Sequence, residues 1–218
     1  AKDLGGKFTR VIPTSRIPRE VISRELKSIK NALPTVNLQQ PLTRQDMEQL
    51  REDYDFVVLA TGAQKPRSLP IPGIERAVTA LEFLLAAKDD QIKPGKDVVI
   101  IGAGNVGCDA ATEAYRLGAQ AVTLLDVQKP ASFGHERDAA EAAGADFRWP
   151  VVTEEITSDA VVLVGGEKLA ADTVIVSIGD VPDLDFIPEN VEIDRGHVRV
   201  DEHFRTSDKK IFAIGDVV

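Results

Sequence analysis

The sequence predicts an α/β fold in which parallel strands alternate with helices, and three observations carry that prediction. Apolar runs at DVVIIG (97–102), AVTLLD (121–126) and ADFRW (145–149) are separated by helix-like stretches at 105–117 and 135–143. A glycine-rich turn, Gly102-Ala103-Gly104-Asn105-Val106-Gly107, joins the first strand to the first helix. An acid, Asp126, closes the strand that follows.

The other elements follow in chain order. Residues 19–31 set Val21, Ile22, Leu26 and Ile29 on one helical stripe. The preceding Ile12-Pro13 and Ile17-Pro18 pairs suit an extended entry and a helix that begins at proline. Residues 55–60, DFVVLA, read as a short buried strand ending at Thr61-Gly62. Pro66, Pro70 and Pro72 then argue against any regular element over 64–73 and suggest a crossing between domains. A short helix is expected near 80–88, and Lys93-Pro94-Gly95-Lys96 is a turn. Residues 160–179 read as two β segments around Gly165-Gly166, the second alternating at Val174, Val176 and Ile178. A second proline-bearing crossing, 179–190, precedes short strands near 197–200 and 211–214. The order predicts a nucleotide domain over 76–182, inserted between the two parts (1–75 and 183–218) of another domain.

Composition narrows the function. The chain has 218 residues, 43% of them hydrophobic, enough for a core, and no stretch has the length of a membrane span. A net charge of -9 argues against a nucleic-acid partner, because phosphates would be repelled overall. The lone Cys108 excludes an internal disulfide and a Cys-x-x-Cys redox pair, and fits a reducing, cytoplasmic setting. The start AKDLGGKF lacks signal-peptide character. The chain opens without methionine and stops straight after an apolar run, so it is expected to be a fragment of a longer protein.

The turn at 102–107 has a mechanical logic. Strand before and helix after direct main-chain amides and the positive helix end at one point, where a dinucleotide pyrophosphate binds. Gly102 allows the tight turn, Gly104 lets the backbone approach the pyrophosphate, and Gly107 lets the helix pack on the strand. Asp126 stands where an acid accepts hydrogen bonds from the adenosine ribose. A 2′-phosphate about 5 Å from that carboxylate would meet a repulsion on the order of 1–3 kcal/mol at intermediate dielectric. NAD(H) is therefore expected over NADP(H), with Lys129 or Arg137 the cations that could answer a phosphate. The competing readings are an ordinary turn, and a solvated acid at a strand end.

Four segments together resemble the small (β) subunit of glutamate synthase and its FAD/NAD(P)-dependent relatives. They are GGKFTRVIPTSRIPREVISRE, YDFVVLATGAQKPRSLPIPGIE, VVIIGAGNVGCDAATEAYRLGA and FRTSDKKIFAIGDVV. The resemblance implies an FAD/NAD(P)-binding Rossmann-like fold, with the nucleotide domain inserted in an incomplete FAD domain. By the same resemblance, Thr61 and Gly62 lie where the chain leaves the FAD domain. Asp216, after Gly215, holds the flavin's polar chain, and Gly5 and Gly6 lie near the flavin. Asn105 and Asp109 match the pattern in and after the second glycine turn. The first glycine fingerprint, which grips FAD in the family, and the helix after Gly215-Asp216 are not in this sequence. FAD is therefore expected in the parent protein and weakly or not at all in this chain. NADP-using relatives carry arginines where this chain has Asp126-Val127-Gln128. The implied activity passes hydride from the nicotinamide to the flavin, then electrons to a partner subunit, an iron–sulfur protein or a diffusible acceptor. A binding module without turnover is the alternative.

No side chain stands out as a catalytic acid or nucleophile. Cys108 is expected to be a buried, inert thiol, although a helix N-terminus could lower its pKa. His135, His197 and His203 have no zinc-motif spacing. Trp149 reads as a strand-end core residue, and Glu154-Glu155 and 180–185 as solvated turns.

Overall fold

The computed structural model describes residues 3–218. In chain order the helices are α1 (Gly6–Arg10), α2 (Arg19–Ala32), α3 (Arg44–Asp53), α4 (Ala80–Ala87), α5 (Asn105–Arg116) and α6 (Gly134–Ala142). The first seven strands are β1 (Val57–Leu59), β2 (Lys65–Pro66), β3 (Val78–Thr79), β4 (Asp97–Ile101), β5 (Ala121–Leu125), β6 (Asp146–Arg148) and β7 (Thr153–Ile156). They are followed by β8 (Ala160–Leu163), β9 (Lys168–Ala170), β10 (Thr173–Val176), β11 (Asp180–Val181), β12 (Ile193–Asp194), β13 (His197–Val198) and β14 (Ile211–Ala213). The described residues fall into two compact units. One holds the chain up to Leu38 and Ser68–Ile178; the other holds Gln39–Arg67 and Gly179–Val218.

The larger unit is built on a five-stranded parallel sheet in the order β3-β10-β4-β5-β6. Strand β4 is buried from Val98 to Ile101, as a parallel strand covered on both faces must be. One face packs Val98, Ile100, Leu124 and Ile175 against Phe83 and Leu84 of α4 and Ala110, Ala111 and Ala114 of α5. The other packs Val99, Ile101, Leu125 and Val176 against Ile156, Val161 and Leu163 of the antiparallel sheet β7-β8-β9. This is the α/β Rossmann-like architecture that the strand-turn-helix pattern predicted.

Several details differ from expectation. The segment 160–179 forms three strands, because β8 and β9 pair as a hairpin while β10 leaves it to insert between β3 and β4. Glu154 and Glu155 lie in β7, not in a turn; both are exposed, where the pairing of β7 with β8 shifts register between Thr153 and Glu155. Trp149 is 41% exposed rather than part of the core, since β6 ends at Arg148 on the sheet edge. On α2 only Ile22 is fully buried, and Ile29 is exposed.

In the smaller unit, β1 and β14 pair in parallel and β12 pairs with β13. Its core is Met47, Leu59, Ile187, Val191, Val198, Ile211, Ala213 and Val217. The expected buried strand at 55–60 is half-buried: Leu59 points inward while Phe56 and Val58 are exposed. The proline-rich 64–73 is not free of regular structure, because β2 pairs antiparallel with β11. Gln64 N–H and Arg67 N–H, on either side, donate to Val181 and Gly179 carbonyls, so the absent N–H of Pro66 costs this ladder nothing. The same pairing puts Asp180 in a strand, and Lys65 Nζ bridges Asp183 at 2.9 Å and Asp185 at 3.2 Å. Helix α3 was not expected, because only Met47 and Leu50 are apolar in it. Its signal was the capping box between Thr43 and Asp46.

Candidate functional site

The glycine turn leaves the carboxyl end of β4, whose two neighbours are β5 and β10. The chain runs from β4 outward to β5 and β6, then returns to β10 on the other side of β4. The turn therefore lies at the reversal of strand order, where open α/β sheets bind ligands. Its main chain is fixed on both sides: Gly102 N–H donates to Leu125 O at 2.8 Å, and Ser177 N–H donates to Ile101 O at 2.7 Å.

The three glycines answer different demands. Gly102 has φ +107°, and a Cβ there would sit 2.1 Å from Ser177 O. A Cβ at Gly107 would sit 2.3 Å from Gly102 O, which keeps the helix close to the strand. Gly104 is unlike both. Its φ is -77°, and a Cβ would meet no atom of the chain within 4 Å. Nothing in the protein's own packing calls for glycine there, and the open space lies at the amino end of the twelve-residue α5. A cradle of this kind, kept free of side chain, fits the pyrophosphate of a dinucleotide.

Asp126, just after β5, is brought to the same turn. Its Oδ2 accepts from Ala103 N–H at 3.1 Å, and its Oδ1 accepts from Gln128 N–H at 3.2 Å. Val106 is half exposed in the first turn of α5. Asn105 Oδ1 accepts from Phe133 N–H at 3.0 Å, tying the start of α5 to the residue before α6. Arg137, expected as one of two cations to answer a phosphate, is engaged elsewhere. Its guanidinium lies 3.6 Å over the Phe147 ring and pairs with Glu141 at 2.5 Å. Lys129 is exposed.

Behind the turn, Arg16 joins two helices. It donates to Asp109 Oδ2 on α5 at 2.7 Å and reaches Glu136 Oε1 on α6 at 2.5 Å. Burial pushes the Asp109 carboxyl above its ordinary value, Arg16 pulls it back, and Glu136 and Glu113 push it up again. Cys108 is fully buried, and that burial raises its thiol pKa, outweighing a hydrogen bond with Ser132. The lowering that a helix N-terminus could give does not prevail.

The residues matched to flavin binding divide between the units. Thr61-Gly62 and Gly215-Asp216 follow the paired ends of β1 and β14, in register at Leu59 and Ala213, with Ile214 N–H donating to Leu59 O at 2.9 Å. Both pairs thus leave the carboxyl end of one parallel sheet. Gly62 and Gly215 have φ of +67° and +74°, and Asp216 is exposed. These residues fit one part of a flavin site, the part near the strand ends. Gly5 and Gly6, at φ +92° and +51°, belong to the larger unit. Sequence reasoning missed Ser177 and Phe133, which touch the turn only through long-range packing that leaves no local signal. Among the described residues no cluster of three or more His, Cys, Asp or Glu side chains could hold a metal ion, and no helix is long and apolar enough to cross a membrane.

The chain is similar in sequence and fold to known proteins. The chain is 29% identical to the NADP(+)-dependent formate dehydrogenase subunit beta of Moorella thermoacetica, over 98% of this chain and 36% of that protein. It is 29% identical to a putative glutamate synthase [NADPH] small chain of Cereibacter sphaeroides, over 98% of this chain and 63% of that one. The crystal structure of the ferredoxin reductase for the CYP199A2 system from Rhodopseudomonas palustris superposes with a TM-score of 0.60 at 28% identity, covering 75% of this chain and 44% of that one. The chain therefore spans between about a third and just under two thirds of the length of these relatives. The profile of the pyridine nucleotide-disulphide oxidoreductase family matches residues 13–218, and the chain belongs to that family.

Proposed function

We propose that this chain is the nucleotide-binding part, with a portion of the flavin-binding part, of an NAD(P)H-dependent flavoprotein oxidoreductase that favours NADH. The observation that carries the reading is Gly104, a glycine the fold does not need, at the open end of a helix whose neighbouring turn is held by Asp126. Gly102, Gly104, Val106 and Gly107 frame the pyrophosphate, Asp126 takes the ribose hydroxyls, and Asn105 orders the segment beside them. Thr61, Gly62, Gly215 and Asp216, with Gly5 and Gly6, belong to the flavin side of the parent protein.

When bound, the nicotinamide supplies hydride and the flavin accepts it, so the protein's own work is to hold, align and exclude water. That division explains why the site needs no acid–base side chain. The preference for NADH rests on the charge of Asp126 and departs from the two relatives above, whose names specify the phosphorylated nucleotide. With Cys108 the sole cysteine, no disulfide within this chain can take the electrons. A partner subunit, an iron–sulfur protein or a diffusible acceptor is the destination, in a reducing, cytoplasmic setting. A glutamate synthase-like role is one version of this reading.

The test is the colour of the complete gene product. A yellow protein that bleaches anaerobically with NADH supports the oxidoreductase. A colourless protein that binds NADH supports a dinucleotide-binding module without turnover. A protein that binds neither cofactor contradicts both.

A further inference from the structure

The segment from Val127 to Phe133 has little burial to hold it. Pro130 is its one buried residue, while Val127 is 65% and Phe133 73% exposed. Two hydrogen bonds fix its ends. Asp126 Oδ1 accepts from Gln128 N–H at the start, and Asn105 Oδ1 accepts from Phe133 N–H at the finish. Asn105 stands directly after Gly104, so this second bond ties the segment to the glycine turn itself. Between the two anchors lies Lys129, exposed, while the Asp126 carboxylate accepts from the Ala103 and Gln128 amides and forms no ion pair with it among the described residues.

We propose that Asn105 is a positioning residue for cofactor choice: it latches residues 127–133 to the glycine turn and so keeps Lys129 away from the Asp126 carboxylate. Held in this way, Asp126 presents an unneutralised negative charge to the 2′ position of the ribose. Released, the segment lets the lysine swing toward that carboxylate, where its charge would cancel the repulsion of a 2′-phosphate. This inference rests on the proposed NADH preference and adds to it the element that maintains it.

The experiment compares Kd values for NADH and NADPH by fluorescence titration of the full chain, for wild type, Asn105→Ala, Asn105→Asp and Asn105→Ala combined with Lys129→Met. Loss of one neutral hydrogen bond is expected to lower the NADH-over-NADPH ratio about fivefold in Asn105→Ala. Adding Lys129→Met restores the ratio. Asn105→Asp, which keeps an acceptor for Phe133 N–H, weakens both nucleotides by its charge but does not lower the NADH-over-NADPH ratio. Deuterium exchange at the Phe133 amide of the wild type reads the latch without any variant, and protection is expected there. Equal changes in both Kd values for Asn105→Ala, failure of Lys129→Met to restore the ratio, or an unprotected Phe133 amide each overturns the latch. A wild type that binds NADPH more tightly overturns the cofactor reading instead, and the latch is then judged on Phe133 protection and on the ratio change alone.

Discussion

The Asp126 carboxylate accepts a hydrogen bond from the Ala103 amide at 3.1 Å, so the acid at the end of β5 and the turn at the end of β4 form one structural piece. One carboxylate oxygen steadies the turn while the side chain remains only partly buried. The same residue can therefore support the pyrophosphate loop and face the ribose.

Replacing Asp126 separates those two roles. Asp126→Asn keeps an acceptor for Ala103 N–H and removes the charge, so NADPH should bind about tenfold or more tightly than it does to the wild type, the size expected from a repulsion of about 1–3 kcal/mol. NADH affinity should fall modestly. Paired titrations with the two nucleotides check both shifts.

The Arg16 bridge gives a prediction with a definite pH sign. Arg16→Met leaves Asp109 and Glu136 without their shared cation on facing helices. The expected loss is roughly 1–3 kcal/mol, below the value for a fully buried pair because Arg16 is partly solvated. Burial holds the Asp109 pKa above its ordinary 3.8, so this group favours the fold when protonated. Its contribution is complete below 3.8 and is lost as pH rises through the folded value. Without Arg16 that loss should steepen. Urea unfolding from acid to neutral pH should show the variant closest to wild type at the acid end.

Asp208 has the opposite sign. Burial alone would raise its carboxyl, but the hydrogen bonds from Lys210 N–H and Asn190 and the Arg51 guanidinium outweigh burial and lower it. Arg51 approaches to 2.5 Å, and Asn190 donates at 2.8 Å. Its stabilisation is present above 3.8 and disappears as pH falls through the lower folded value. Asp208→Asn should therefore lower stability at neutral pH and flatten acid unfolding of the 39–67 and 179–218 unit. Thermal melts across pH test this.

Cys108 should react with a thiol reagent only after unfolding. It is fully buried and its thiol is held in the protonated form by that burial. A colorimetric thiol assay in native buffer and in denaturant measures the difference.

The part of the fold legible in the sequence was the part whose signals are local. Strand β4, the glycine turn and α5 each carry a run or spacing within a few residues, and Asp126 is marked by its place at the end of β5. The placement of β10 was not legible, because Val174 and Val176 show only that a strand exists, not that it leaves the β8-β9 hairpin to join β4. The capping box at Thr43 was a local signal, overlooked because the helix after it is nearly all charged. In the site, the glycines and Asp126 were legible, while the bond from Phe133 to Asn105 depends on how the 127–133 segment folds back, which no periodicity records.

The most direct test of the account is Gly104→Ala, measured by Tm and by NADH titration together. The site at Gly104 is open to the chain, so the Tm should hold, while a methyl group in the path of the pyrophosphate should weaken NADH by about tenfold or more. Unchanged NADH affinity in a folded Gly104→Ala protein would contradict the claim that this turn is the nucleotide site.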